Sequence, residues 1–496
     1  MKPELQNLID LDRERVLVAH IASLLAWDQE THMPPGAEEE RAEQLAWLEG
    51  SAHEKAVDPR IGEHLAALGC SDSNPGGDPS LDPDARAFLR VLYRTYAREV
   101  KLPADLVTET AKAQSLGQSA WVRARSENDF SAFRPHLERI LDLKRRAAAC
   151  LDPDKKPYDV LLDLFEPGSD EAQVRRVFDP LRKDLSSLLA RIRSRPQVDD
   201  SFLRKPCSKE AQTTASRYFM ELLGYDLDRG RLDVTAHPFT TTVGRADVRI
   251  TTRYDEGYFL SSLFSTIHET GHALYEQGVN PPAEYAGTCL ADGASMGIHE
   301  SQSRMWENVV GRSRPFWSRE YPALRAVLGE VLSGVSLDAF LRGINKVEPS
   351  LIRTEADEVT YGLHIILRFE MEADLLAGRL AVQDVPAAWN AKTRDLLGIE
   401  PPSDAKGCLQ DVHWSAGLFG YFPSYSLGNL YAAQFVQALR KDLDLDGRLR
   451  EGDYASVLGW LRKHIHTPGA ALLPNELCEK VTGKPLDAAH FVDYLN

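Results

Sequence analysis

The pentapeptide His268-Glu269-Thr270-Gly271-His272 constrains this chain more than any other feature. It follows the apolar run from Tyr258 to Ile267 and continues into Ala273-Leu274-Tyr275, a pattern that predicts a buried helix. Residues four apart share a helix face, so both imidazoles converge on one point while Glu269, one step round, faces the same space. This is the H-E-x-x-H spacing with which a helix holds a catalytic zinc, with Glu269 activating a metal-bound water. Two ordinary helix histidines would also satisfy the spacing. The apolar flanks weigh against them, because a buried Glu269 without a metal or donor beside it is costly.

A catalytic zinc takes three protein ligands and keeps one position open. The extended motif with a third histidine fails here, since Tyr275 holds its glycine position and Gly278 its histidine position. The third ligand therefore comes from elsewhere. Residues 295–307 read as a second helix packing beside the first, and Glu300 is the leading candidate, with Arg304 four residues on to orient it. His299 is the immediate rival.

Three further groups suit the walls of a cleft. His413, in Gln410-Asp411-Val412-His413-Trp414, and the phenols Tyr421 and Tyr425 lie in a glycine- and proline-rich stretch and offer donors to an oxyanion. Each tyrosine taken singly is equally a packing aromatic. Ile352 to Asp357 reads as part of a long helix on which Arg353, Asp357 and Tyr361 recur every four residues. Arg353 held by Asp357 would make a fork for a substrate carboxylate, though a solvated ion pair accounts for the pattern as well.

The rest of the chain is mostly helical in pattern. Residues 4–56 predict a helical hairpin broken at Met33-Pro34-Pro35-Gly36, and residues 71–84 a surface loop. The apolar spacing from Val174 to Ile192 predicts an amphipathic helix with Ser169 as its N-cap. Strand signals concentrate at residues 240–244 and 247–254, which predict a small antiparallel sheet whose edge lies beside the zinc helix and holds an extended peptide. A chain of 496 residues buries a large core without staples, and a net charge of −16 argues against nucleic acid or an anionic membrane as main partner. Six scattered cysteines, no apolar signal core and no apolar run of membrane-spanning length predict a soluble cytoplasmic protein.

Taken together, five blocks in order resemble the Taq-type thermostable metallocarboxypeptidases. They are Asp247-Val248-Arg249-Ile250-Thr251, the His268 to His272 motif, His299-Glu300-Ser301-Gln302, Ile352 to Asp357, and Gly407 to Trp414. Segments Ser23 to Thr31 and Pro157 to Asp163 also look like that family, so the similarity runs over nearly the whole chain. The resemblance implies a mainly α, zincin-like fold with a deep substrate groove between two helical lobes, related to angiotensin-converting enzyme and neurolysin. Residues 1–496 then form one catalytic unit, commonly a homodimer. It further implies zinc or cobalt, one ion per chain, on His268, His272 and Glu300, with Glu269 as general base and Arg353 as carboxylate anchor. Arg249, Asp357 and Gln410 fall in the same blocks and are expected beside the substrate, and His413, Tyr421 and Tyr425 beside the reacting bond. Glu38-Glu39-Glu40 and the ending Tyr494-Leu495-Asn496 depart from the family pattern, away from the chemistry.

The activity expected is release of single C-terminal residues of many kinds from peptides with a free carboxylate. An oligopeptidase or dipeptidyl carboxypeptidase using the same zinc chemistry is the runner-up, and a non-catalytic peptide-binding scaffold the remote alternative.

Overall fold

The computed structural model describes residues 1–496, and helices dominate it from Pro3 to Leu495. The N-terminal hairpin forms as expected from helices Pro3–Thr31 and Glu38–Ala56, parted at the two prolines by a single 3-10 turn, Pro35–Ala37. A helix covers Glu171–Arg193, but its N-cap is Asp170 and not Ser169, because the Asp170 carboxylate accepts from the Gln173 amide.

Apolar burial divides into one large core and one small one. The large core is built around Trp306, Trp317, Phe219 and Phe369. The small core gathers Leu5, Leu8, Ile61, Phe88 and Leu89 from the N-terminal helices against Tyr285 and Leu290. Those last two precede the helix Met296–Arg304 in the chain, so the N-terminal helices pack against the segment that leads into it. Asp12 reinforces this join from a buried position, accepting the Cys289 amide at 2.6 Å and pairing with Arg15.

The sheet has three strands in the order β1 (Leu232–Val234), β3 (Asp247–Thr252), β2 (Thr240–Gly244). β2 runs antiparallel to β3, as expected, but β1 runs parallel to it, so the sheet is mixed. Three residues are too short a run to show alternation in the sequence, which is why β1 is not legible there. Val248 and Ile250 of β3 are fully buried toward the helix Leu260–Gly278, while β2 forms the outer edge. Thr240 pairs with Ile250 and Thr242 with Val248, so their hydroxyls share that buried face.

No helix is long and apolar enough to cross a membrane. All six cysteines are unpaired.

Candidate metal centre

The helix Leu260–Gly278 is buried nearly all round, as its apolar flanks predict. It lies antiparallel to the helix Met296–Arg304, which is capped by the Ser295 hydroxyl and continues into a wider turn over Met305–Val310. Gly271 permits the close approach: a Cβ there would stand 2.6 Å from the Ser303 Cα and 2.7 Å from the Gln302 carbonyl. The two unspecified positions of H-E-x-x-H are thus not equivalent, since the second must be small where another backbone crosses.

This packing gathers His268, His272 and Glu300 so that one ligand atom from each lies within 4.8 Å of the others. The Glu300 Oε2 is 3.6 Å from the His268 Nε2 and 3.3 Å from the His272 Nε2. Each imidazole is held from behind. The His268 Nδ1 lies 2.8 Å from the Glu307 Oε2, and the His272 Nδ1 lies 2.6 Å from the His299 Nδ1. His299 reaches on to Glu276 at 2.6 Å, and Glu276 accepts from the Thr242 hydroxyl. For both Nε2 atoms to ligate a metal, His268 must donate from Nδ1 to Glu307 and His272 from Nδ1 to His299, which then donates to Glu276. Both Nε2 lone pairs then point at Glu300. His299, the rival ligand, thus stands behind His272.

Charges around the triad suit a cation. Burial holds His272 down to about 4, so it is neutral and able to ligate. Burial works against the charged form of Glu300, yet Arg304 and the two histidines keep it well below the usual carboxylate range. Its Oε1 takes the Arg304 Nε at 2.7 Å, which leaves Oε2 facing the histidines. Gly428 from the helix Phe422–Asp442 packs against the Glu300 side chain so tightly that a Cβ there would lie 2.4 Å from its Cγ. Glu269 sits beside the triad with its Oε2 accepting from the Thr240 hydroxyl at 2.7 Å. Burial raises its pKa, against the opposing pull of His268 and Thr240.

A second cluster is joined to the first through Arg304, whose guanidinium stacks 4.6 Å from the Tyr361 ring. The Tyr361 hydroxyl accepts from the Arg353 Nη1 at 3.2 Å. Arg353 is buried, with its Nε on Asp411 at 3.0 Å and its own amide on the Gln410 Oε1 at 2.9 Å. Asp411 also holds the fully buried Arg368. Arg353 stacks 4.8 Å from the Tyr425 ring, and the Tyr425 hydroxyl lies 3.2 Å from the His413 Nε2. Tyr421 packs edge-on against Tyr425 and is pushed up to about 12, by burial first and by Glu300 second.

The sequence profile of the Carboxypeptidase Taq (M32) metallopeptidase matches residues 7–496. The chain belongs to this family. A thermostable carboxypeptidase 1 of Thermus thermophilus is 44% identical, covering 100% of this chain and 98% of its own. Carboxypeptidase 1 of Bacillus subtilis is 40% identical over 99% and 97% of the two chains. Among solved structures, the M32 carboxypeptidase of Deinococcus radiodurans superposes with a TM-score of 0.94 at 40% identity, covering 99% of this chain and 98% of that one. This M32 chain is accordingly a metallocarboxypeptidase, and its family implies a divalent ion. The donor set fits one: two imidazoles with their outer nitrogens already engaged, and one carboxylate oxygen turned between them.

Several expected positions fall differently in this M32 member. Arg353 lies in an isolated 3-10 turn, Arg353–Glu355, and not on the helix, which begins at Glu358. Asp357 is that helix's N-cap; it accepts from the Val359 and Thr360 amides and the Glu348 amide, so it does not hold Arg353. Asp411 does. Gln410 spends its carbonyl on Arg353 and Arg368 and its amide on the Leu351 and Gly407 carbonyls, which makes it a buried brace for Arg353. Arg249 is not brought to the triad: it projects from the face of β3 opposite Val248 and Ile250, paired with Asp247 and stacked 4.1 Å from Trp27. Glu307, Glu276, Thr240 and Asp411 were not singled out from sequence. Glu307 left a signal in its place two helical turns beyond Glu300 on one face, and Asp411 in the block Gly407 to Trp414.

Proposed function

We propose that the protein removes single residues of broad type from the C-terminus of peptides, with His268, His272 and Glu300 holding one zinc ion and Glu269 acting as general base. Two imidazoles and one carboxylate form a set that suits zinc and also accepts cobalt. Bound there, the ion lends Lewis acidity to the water and to the carbonyl that it attacks. The chain's own residues do the rest. Glu269 takes the water proton on its carboxylate and carries it to the leaving nitrogen, with the Thr240 hydroxyl fixing its Oε2. His413 and Tyr425 lie 3.2 Å apart with Tyr421 beside them, so one of the two donates to the other and the donor left over is assigned to the polarised carbonyl.

The observation that carries the exopeptidase reading is the state of Arg353. Its Nε, Nη1 and amide are committed to Asp411, Tyr361 and Gln410, while its Nη2 donates to no protein group. A buried guanidinium with one free donor edge is suited to a carboxylate. The test compares peptides ending in a free acid with the same peptides amidated. Amidation should abolish turnover, and equal cleavage of both would refute the reading. Product masses separate one residue released from two, the dipeptidyl alternative.

Residues 1–496 act as one catalytic unit in this proposal, with two helical lobes about the groove and a homodimer as the assembly expected from the family resemblance. The unpaired cysteines support a reducing, cytoplasmic compartment. A net charge of −16 supports peptides, and not nucleic acid or membrane, as partners.

A further inference from the structure

The Arg353 cluster leaves the triad at the end where His268 meets Glu307. At the opposite end, where His272 meets His299, the groove opens past Glu276 and Thr242 into a cavity of about 460 Å³ between the metal helix and the N-terminal helices. Its walls carry Arg15, Arg90, Arg94, Arg98 and Arg245, in a protein that is acidic overall.

The pairing of these arginines is uneven. Arg15 has Asp12 and Arg90 has Glu476. Arg94 and Arg98, however, share the single carboxylate of Asp163, both at 2.8 Å. Arg245, on the turn between β2 and β3, meets only the neutral Asn280 side chain. Arg94, Arg98 and Arg245 therefore have one directly paired carboxylate among them. Burial and then neighbouring Arg94 push Arg98 below its ordinary range. Two further carboxylates line the metal side of the cavity: Glu276, held by His299 and Thr242, and Asp292, which accepts the Gly293 amide.

β2 connects the two regions. Thr240 touches Glu269, Thr242 touches Glu276, and the strand's end at Gly244 leads to Arg245. A peptide whose C-terminus lies at Arg353 runs antiparallel to β2 if it adds to that open edge, and its upstream residues then enter the cavity. From Thr240 to Arg245 an extended chain covers about 17 Å, which places the cationic wall roughly three to five residues before the cleaved bond.

We propose that this cavity is a subsite for acidic residues of the substrate, with Arg94, Arg98 and Arg245 taking the carboxylate of an Asp or Glu several residues upstream of the scissile bond. The inference rests on the carboxypeptidase reading above and adds an upstream preference to it. The test uses the metal-loaded enzyme and peptides sharing one C-terminal sequence, with Glu, Gln or Lys at each of positions two to six before the cleaved bond. At one or two adjacent positions Glu should exceed Gln in kcat/KM by about ten-fold, the ratio expected of one charge-assisted contact, chiefly through KM. Raised salt should shrink that ratio. Arg245→Gln, and separately Arg94→Gln with Arg98→Gln, should bring it towards one, and Arg245→Glu should turn the preference to Lys. The Arg245 variants stand on an exposed turn, so they remain informative if loss of the Asp163 partners prevents folding.

Cleavage throughout the series with Glu and Gln equal at every position would overturn this proposal alone. So would a preference unchanged in the Arg245 variants. Inorganic phosphate should compete with the Glu peptides and spare the Gln peptides; an equal effect on both, without any acid preference, would mean that the cavity holds a free anion and would also overturn it. Failure to cleave any peptide of the series would overturn the carboxypeptidase reading, and this inference with it.

Discussion

Glu269 and the groups that touch it are the narrowest targets in the molecule. Glu269→Gln keeps the volume and loses the base, so the variant should bind its ion normally by metal analysis while kcat falls by about three orders of magnitude or more. Thr240→Val acts more finely. The hydroxyl lowers the Glu269 pKa against burial, so its loss raises that pKa, and the acid limb of the kcat/KM profile should move to higher pH. An unmoved limb would show that Glu269 does not govern it. Behind the ligands, Glu307→Gln removes the charge that receives the His268 N–H; about a ten- to hundred-fold loss of metal affinity is expected by competition with a chelating dye. The proposed ligands His268 and His272 and the proposed base Glu269 were legible because their spacing is a local property of one helix. Glu276, His299 as a brace and Asp411 were not, because each acts through a partner on another segment, and no periodicity records such a meeting.

The elements owe their placement to what they lack as much as to what they carry. Gly271→Ala puts a methyl group against the backbone of the second helix, so the helices must part and carry Glu300 away from the histidines. A stability loss of roughly 1–3 kcal/mol in denaturant titration, together with weaker metal binding, is the expected result. The second helix also starts on a buried acid. Glu166 accepts the Gly297 amide, its other oxygen has no partner, and burial raises it to about 7. A carboxyl raised on folding stabilises fully below its unfolded pKa, and that contribution is lost as pH rises through the folded value. Glu166→Gln should therefore match the wild type near pH 4.5 and exceed it at pH 8, by up to about 3 kcal/mol, seen as a Tm difference that opens between those pH values. Periodicity announced the long helices, the hairpin and two of the strands. It missed the break after Glu355, where Asp357 caps the helix, because the polar spacing of Arg353, Asp357 and Tyr361 imitates a continuous face.

Over the whole molecule, metal binding should couple to folding because the proposed ligands come from two helices, Leu260–Gly278 and Met296–Arg304, brought together by the fold. Chelation should lower the Tm, and added zinc should raise it in proportion to the logarithm of its free concentration. The architecture was accessible from sequence to the extent that helices dominate and the motif blocks recur in one order. The parallel strand β1, the separate N-terminal core and the cavity behind Glu276 were not, since each is made by segments far apart in the chain. Asp411 has one last implication. The proposed ligands and the acid behind His268 are all made once Glu307 has been added, but the fork at Arg353 is held by a carboxylate that the ribosome adds much later. The helix that packs on Glu300 at Gly428 follows later still, so a growing chain has neither its metal site nor its grip on a terminus fully assembled until most of it has been synthesised.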